Sequence, residues 1–238
     1  MKCMSPENEN NQNNAALVPD MSPICFDPQY DTRIILLRHG QSIGNADFRF
    51  LGHTDLDLSP LGYEQAKRTC ELLKNEKIDA VYSSPLIRAY NTALPHAQLR
   101  GIVVNKDRSF IEMYAGEWEN LLIDEIKERY GDMYTGPWKN NFGTFTIPGG
   151  EDCDSVRNRF YSGLEELAKA HRGQTVLVGS HAAAIRCVWG KICGIEPEAL
   201  AELVPFPYNA SVSVVYYNGD ALVPGVYSYK EHLIDLLV

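Results

Sequence analysis

The stretch IILLRHG, residues 34–40, decides the fold class of this chain. Its apolar part is rich in branched and leucine side chains, which is typical of a strand covered on both faces. The run ends in Arg38 and His39. A second apolar run, TVLVGSH at residues 175–181, also ends in a histidine, His181. Ligands of open α/β sheets bind beyond the carboxyl ends of the strands, so we predict that both histidines face one crevice.

Strand and helix patterns alternate from residue 32 onward. The segment SPLGYEQAKRTCELLKNEK predicts a helix that Ser59 caps and Pro60 begins. Another helix begins at Pro85, and we expect Pro95 to end or kink it. Further strands are predicted at DAVYSS, GIVVNK, SVSVVYY and ALVPGVYSY, the last two flanking the turn NGD. This alternation predicts an α/β fold: a three-layer sandwich with a mostly parallel central sheet flanked by helices.

The domain organisation follows from composition along the chain. Residues 1–31 are rich in Asn, Pro and acidic residues, and we predict a disordered N-terminal tail. Residues 32–238 form one α/β domain. Residues 112–150 mix Trp and Tyr with Gly and Pro, so we predict an inserted helical and loop subdomain there, of the kind that carries function.

Composition restricts the partners. The 238-residue chain has a formal net charge of −9 and a pI of about 5.2, so it lacks the basic surface field of a nucleic-acid or membrane binder. Its six cysteines form no CxxC pair, which favours reduced thiols in a cytoplasmic protein. No signal-peptide or membrane-helix pattern occurs. Metal-binding motifs such as HExxH and DxDxDG are absent, so we predict neither a metal nor a cofactor.

The residues at the strand ends suit phosphoryl chemistry. The strand DAVYSS is followed one helical turn later by Arg88, which we place at the same edge as Arg38. Two guanidinium groups and two imidazoles can surround one phosphoryl group, with Asn45 adding an amide donor. Gly40 is expected to leave room for the backbone to approach the phosphate. An imidazole held between these groups can attack phosphorus in line while the clamp stabilises the transferred charge.

The leaving oxygen of such a reaction needs a proton donor. Glu112 follows the apolar residues SFI, where the chain leaves the sheet, and is the strongest candidate, with Glu117 next. The other acidic residues considered are Glu119, Asp124 and Glu125.

Taken in order, these residues resemble the histidine phosphatase superfamily, also called the phosphoglycerate mutase-like family. The matching motifs are LRHGQSIGN, GHTDLDLSPLGYEQA, YSSPLIRAYNTA, EMYAGEWEN, PGGED and VGSHAAAIR. They extend from about Arg33 to Tyr229, nearly the whole chain except the tail.

The resemblance implies a role for each site residue. His39 becomes transiently phosphorylated, and Glu112 donates the proton and later helps water to attack the phosphohistidine. The residues that hold the phosphoryl group are Arg38, Arg88 and His181, with Asn45 assisting. Gly52 and His53 are placed near the substrate mouth, in a binding role.

The resemblance covers both phosphatases and mutases. Mutases carry more basic residues in the insertion and Gly-Asn after the second histidine. Here MYTGPWKNNFGTF contains only Lys139 as a basic residue, and Ala182 and Ala183 follow His181. We therefore predict a metal-independent phosphomonoesterase that acts on a small phosphorylated metabolite. A phosphoglycerate mutase is the alternative hypothesis.

Three positions depart from the common pattern of the family, where Gln41 replaces Glu and both Asn120 and Ala182 replace Gly. Ala182 matters most, because it would distort the site if its φ had to be positive. We expect it to be tolerated; if it is not, a non-enzymatic phospholigand binder becomes the third hypothesis. The natural substrate (a sugar phosphate, a nucleoside phosphate or a cofactor precursor such as a ribazole phosphate) and the oligomeric state stay open.

Overall fold

The computed structural model describes residues 29–237. The predicted tail therefore lies almost entirely outside the described residues, as do Cys3 and Cys25. The four described cysteines, Cys70, Cys153, Cys187 and Cys193, are free thiols.

A single six-stranded sheet forms the centre of the described domain. Its strands are β1 (Thr32–Arg38), β2 (Ala80–Ser83), β3 (Val104–Lys106), β4 (Thr175–Ser180), β5 (Val212–Tyr217) and β6 (Leu222–Pro224), in the spatial order β3-β2-β4-β1-β5-β6. The first four in this order run parallel, whereas β5 pairs antiparallel with β1 and β6 pairs antiparallel with β5 at one edge. The mostly parallel sheet is thus confirmed, with β5 and β6 as the late pair of strands around NGD.

Helices connect the strands and cover the sheet. They are α1 (Ile43–Ala46), α2 (Pro60–Leu72), α3 (Ile87–Arg100), α4 (Ile123–Tyr130), α5 (Cys153–Ala170), α6 (Ala182–Ile192) and α7 (Leu200–Leu203). Helix α2 begins as predicted: Pro60 occupies the first turn, and the Ser59 hydroxyl accepts a hydrogen bond from the Gly62 amide at 3.1 Å.

Strand β1 shows why the domain has three layers. Ile34 and Leu36 belong to the hydrophobic core that α5 and α6 close, and Ile35 and Leu37 belong to the core on the other face with residues of α3. All four side chains are fully buried. Each such burial contributes about 1.5–3 kcal/mol, so four consecutive apolar residues that point to alternate faces of the strand are stabilised when a helical layer covers each face.

Of the two outcomes predicted for Pro95, the end of the helix is wrong. Helix α3 continues through this residue to Arg100, and Gly101 ends it in a left-handed conformation with φ 64°. Pro95 removes one backbone hydrogen bond from the helix. Ala93, His96 and Ala97, on either side of it, are buried, so packing of this face outweighs the loss.

The insertion at 112–150 contains α4, as the pattern near LIDEIKERY predicted, and otherwise short turns of 3₁₀ or π helix. Its aromatic residues pack in the same core as β1: Trp118, Trp138 and Phe142 are buried together with Ile34. The insertion therefore shares the core of the main domain. This common core holds its aromatic side chains over the carboxyl edge of the sheet.

Candidate active site

The two histidines meet because their strands are parallel neighbours in register. Arg38 pairs with Ser180 at the ends of β1 and β4. The His39 amide then donates to the Ser180 carbonyl at 2.9 Å. The residue after each strand is a histidine, and the two imidazole centroids lie 5.2 Å apart.

His39 is held as a neutral imidazole with one free nitrogen. Its Nδ1 lies 2.7 Å from the Gly40 carbonyl, which only accepts, so the ring hydrogen is on Nδ1 and the Nε2 lone pair is available. Burial, followed by the charges of Arg88 and Arg38, lowers the pKa of His39 well below 6.5. A neutral imidazole with a free lone pair is the form of histidine that can act as a nucleophile.

Arg88 and Arg38 supply fixed positive charge beside this nitrogen. Arg88, only 1 % exposed, donates from Nη1 to the Thr54 carbonyl at 2.8 Å and from Nη2 to the Gly52 carbonyl at 2.7 Å. Arg38 donates to the Pro207 carbonyl. Burial lowers the pKa of Arg38 to about 10, so it stays charged at neutral pH.

Each of the two guanidinium groups has one N–H donor that no described residue accepts. The Nε atoms of Arg38 and Arg88 are buried and have no hydrogen-bond partner among residues 29–237. Neither arginine forms an ion pair within that range. Buried donors without partners are costly. Both arginines also line the cavity, so their charges would attract an anionic group there.

Glu112 lies at the amino end of α6, against its first backbone amides. Its Oε1 accepts from the amides of Ala184 and Met113, both at 2.9 Å, and its Oε2 accepts from Ala183 at 3.3 Å. These donors fix the carboxyl group where it lines the same cavity as His39. Of the five acidic residues considered, Glu112 is the one that lines this cavity.

The other acidic candidates have different contacts. Glu117 accepts from the Tyr130 hydroxyl at 3.0 Å, away from the cavity. Glu119 accepts from the amides of His53, Thr54 and Ala115 and from the Thr54 hydroxyl. Its carboxylate is therefore a structural clamp on the loop that holds Arg88.

Ser84 is a site residue that the sequence reasoning missed. Its Oγ lies 2.7 Å from His181 Nε2, and both residues are fully buried. His181 Nδ1 is buried and unpartnered among the described residues. If Nδ1 is to donate to a phosphoryl oxygen it must carry the ring hydrogen, and the Ser84 hydroxyl then donates to Nε2. The one sequence feature that could have pointed to Ser84 is its position at the end of the predicted strand DAVYSS.

The backbone conformation at Ala182 does not require a glycine. Ala182 is the first residue of α6 and is not among the described non-glycine residues with positive φ. Asn120, the other replaced glycine, does have a positive φ of 60°. Asn tolerates this conformation better than most residues, which accounts for its presence there.

The remaining predicted residues divide into two groups. Asn45 and Gly52 line the cavity. Asn45 Oδ1 accepts from the Ser42 amide at 3.1 Å, and Gly52 acts through its carbonyl on Arg88. His53 does not line this cavity: its Nε2 contacts the Glu112 carbonyl at 2.8 Å, and its ring borders a neighbouring hollow. A binding role for His53 finds no support in this placement.

The reason offered for Gly40 also needs correction. Its amide donates to the Thr92 hydroxyl at 3.0 Å, and a Cβ at this position would lie 2.4 Å from the Gly62 carbonyl oxygen. The close approach that demands glycine is therefore made by the start of α2.

The cavity has a volume of about 210 Å³, with Arg38, His39, Arg88 and Glu112 around its inner part. Among residues 29–237 no group of three or more His, Cys, Asp or Glu side chains is arranged to hold a metal ion. In the same part of the chain no helix combines the length and apolarity needed to cross a bilayer.

Comparison with known proteins agrees with this geometry. The family model of the histidine phosphatase superfamily (branch 1) matches residues 34–227. The chain is 37 % identical over 185 residues to phosphoserine phosphatase 1 of Hydrogenobacter thermophilus, covering 77 % of this chain and 86 % of the relative. It is 32 % identical over 228 residues to a 2,3-bisphosphoglycerate-dependent phosphoglycerate mutase of Corynebacterium efficiens, covering 81 % and 91 %.

Among solved structures, a mycobacterial glucosyl-3-phosphoglycerate phosphatase in complex with VO3 superimposes with a TM-score of 0.76. The identity is 25 %, and 83 % of this chain and 99 % of that chain are covered. The chain therefore belongs to the histidine phosphatase superfamily. It is a phosphatase-type enzyme of that superfamily, as the motifs indicated.

Proposed function

We propose that this protein is a metal-independent phosphomonoesterase that works through a phosphohistidine at His39. The observation that carries the proposal is the neutral, singly anchored imidazole of His39 beside two buried guanidinium groups with unused donors. The arginines neutralise the charge of the transferred group, and Glu112 lines the same cavity.

The reaction has two balanced steps. His39 Nε2 attacks phosphorus, the bond to the ester oxygen breaks, and the carboxyl group of Glu112 gives its proton to that oxygen. Water then attacks the phosphohistidine, the ionised Glu112 takes a proton from it, and the P–N bond breaks. The products are an alcohol and inorganic phosphate, and both His39 and Glu112 return to their starting states.

The test measures hydrolysis of an aryl phosphate with and without a chelator. Activity is expected to persist in chelator and to vanish in His39→Gln. A denaturing quench at alkaline pH should trap an acid-labile phosphoprotein in the parent protein and none in the variant. His171→Gln is the matched control, because His171 is a half-buried histidine outside the cavity. Loss of activity in chelator with recovery on adding Mg²⁺ would overturn the metal-independent mechanism.

A mutase is the second candidate, favoured by the similarity to a phosphoglycerate mutase. Beyond Arg38 and Arg88, the cavity lining offers one more cation, Arg49, for a second phosphate. We therefore favour hydrolysis. Interconversion of 2- and 3-phosphoglycerate primed by bisphosphoglycerate, at a rate above hydrolysis, would decide for the mutase.

We also propose a cytoplasmic location and a small phosphate ester as partner, with no nucleic-acid binding. The four free cysteines and the net charge of −9 support this. Cell fractionation tests the location: recovery in a membrane or secreted fraction would contradict it.

A further inference from the structure

The outer wall of the cavity is built from apolar side chains. Beyond the phosphoryl-binding residues, the lining consists chiefly of Phe50, Met113, Ile123, Tyr134, Trp138 and Phe206. Phe50 and Trp138 pack edge to face with centroids 5.1 Å apart, and Trp138 and Phe206 are nearly parallel at 6.4 Å. The leaving group of a bound ester must extend along this wall.

A buried cation fixes part of the wall. Arg186 is 3 % exposed and its guanidinium lies 4.4 Å from the Phe142 ring and 4.2 Å from the Phe206 ring. It donates to the carbonyls of Val204 and Ala201 at 2.6 and 2.9 Å. Phe206 is therefore held in place before any substrate arrives, which lowers the entropic cost of binding against it.

The charges in the lining decide which leaving groups fit. Glu112 is the one carboxylate among the residues that line the cavity, and three backbone amides and the leaving oxygen already claim it. No second acidic side chain of the lining is left to pair with an ammonium group. The ammonium group of a leaving group such as serine would therefore lose its hydration without gaining a partner, and Arg49, the remaining cation of the lining, can pair only with the carboxylate of serine.

We propose that the preferred substrates are phosphate monoesters whose leaving group carries an aromatic ring or a similar compact apolar group, and that phosphoserine is a poor substrate. The inference rests on the proposed phosphatase function. The cavity of about 210 Å³ exceeds the about 150 Å³ that holds benzene in an engineered protein cavity, so one ring fits beside the phosphoryl group. The apolar wall covers the ring, and Arg38 and Arg88 bind the phosphoryl oxygens.

The experiment compares phosphate esters. Ethanol and 2-phenylethanol have similar acidity, so the difference in rate between their two esters reports binding of the leaving group. The esters are 2-phenylethyl phosphate, ethyl phosphate, phosphoethanolamine and phosphoserine. We expect kcat/KM for 2-phenylethyl phosphate to exceed that for ethyl phosphate by about 10- to 100-fold, the factor that burial of one ring-sized apolar group produces. Neither amine should be a better substrate than ethyl phosphate.

A variant pair tests the wall itself. Tyr134 and Tyr161 are both partly buried and pack on the same core, but only Tyr134 lines the cavity. In Tyr134→Ser the ratio of kcat/KM between 2-phenylethyl and ethyl phosphate should fall about 3- to 10-fold. In Tyr161→Ser the ratio should stay as in the parent protein.

The possible failures are distinguishable. A kcat/KM for phosphoserine equal to or above that for 2-phenylethyl phosphate would overturn the substrate class and leave the phosphatase standing. An unchanged ratio in Tyr134→Ser would overturn the role of the wall. Absence of both hydrolysis and a trapped phosphoprotein would overturn the proposed function, and the substrate class with it.

Discussion

The substitution Gly52→Ala tests how the site holds Arg88. Gly52 has φ 51°, and a Cβ there would lie 1.9 Å from Glu119 Oε1 and 2.6 Å from the Ala115 Cβ. The new methyl group must displace the Glu119 carboxylate. That carboxylate accepts hydrogen bonds from three backbone amides, those of His53, Thr54 and Ala115, and from the Thr54 hydroxyl.

The loss of stability can be worked out from these contacts. A left-handed conformation costs an alanine about 1–2 kcal/mol. Disrupting the four hydrogen bonds of Glu119, each worth about 0.5–1.5 kcal/mol net, adds about 2–6 kcal/mol. The free energy of unfolding should therefore fall by about 3–8 kcal/mol, a large share of the stability of a typical domain.

Gly101→Ala is the matched control. Gly101 also has a positive φ, 64°, but a Cβ there would meet no atom within 4 Å. This variant carries the backbone strain alone and should lose about 1–2 kcal/mol. The difference between the two variants isolates the displacement of Glu119.

Activity should change in only one of the two variants. The Gly52 and Thr54 carbonyls are the acceptors that fix the Arg88 guanidinium, so a shift of this loop misplaces the charge that binds the phosphoryl group. We expect kcat/KM to fall about 100-fold, as a misplacement of about 1 Å commonly causes. Urea unfolding and aryl phosphate hydrolysis provide the two readouts. The reasoning is refuted if Gly52→Ala is no less stable than Gly101→Ala and retains full activity.

Three further predictions concern residues around the site and one buried histidine. Ser84→Ala should lower kcat about 10-fold, because the hydroxyl group that holds the ring hydrogen of His181 on Nδ1 is lost. Ser83→Ala removes a buried hydroxyl group that donates to the Ser84 carbonyl and should not lower kcat in this way. Equal losses in both variants would contradict the role given to Ser84. Ala182→Gly should change kcat/KM less than about threefold and cost at most about 1 kcal/mol, since Ala182 is helical; a large gain in activity would mean that the methyl group obstructs the site. Burial lowers the pKa of His96 to about 3, so below pH 6.5 the unfolded chain binds a proton that the folded chain does not, and stability is lost as the pH falls from 6.5 toward 3. At pH 5 this loss of stability is about 2 kcal/mol. Urea unfolding at neutral pH and at pH 5 should show the loss in the parent protein, and the His96→Leu variant should lack this contribution. The same pH dependence of stability in the parent protein and the variant would rule the explanation out.

The sequence predicted those parts of the site that depend on strand ends. His39 and His181 each follow an uninterrupted apolar run, and parallel strands of the same sheet end at the same edge. Their placement 5.2 Å apart follows from that register. Arg88 was placed correctly for the same reason, since it lies in the first turn of the helix that follows β2.

Other features depend on contacts that no local pattern encodes. Burial of one face of α3 keeps the chain helical through Pro95. Glu119 binds a loop that contains Thr54, which is 65 residues away in the chain. Ser84 meets His181 across 97 residues. Gly40 required a glycine because of the backbone of Gly62, which sequence spacing does not reveal.

The amino-acid sequence by itself determined the α/β class, the order of its elements and the pair of histidines, because these depend on short-range periodicity and on where an apolar run stops. The tertiary structure alone decided which carbonyls hold the arginines and which apolar side chains line the cavity. Those outcomes depend on distances between segments far apart in the chain, and packing of the whole core sets such distances.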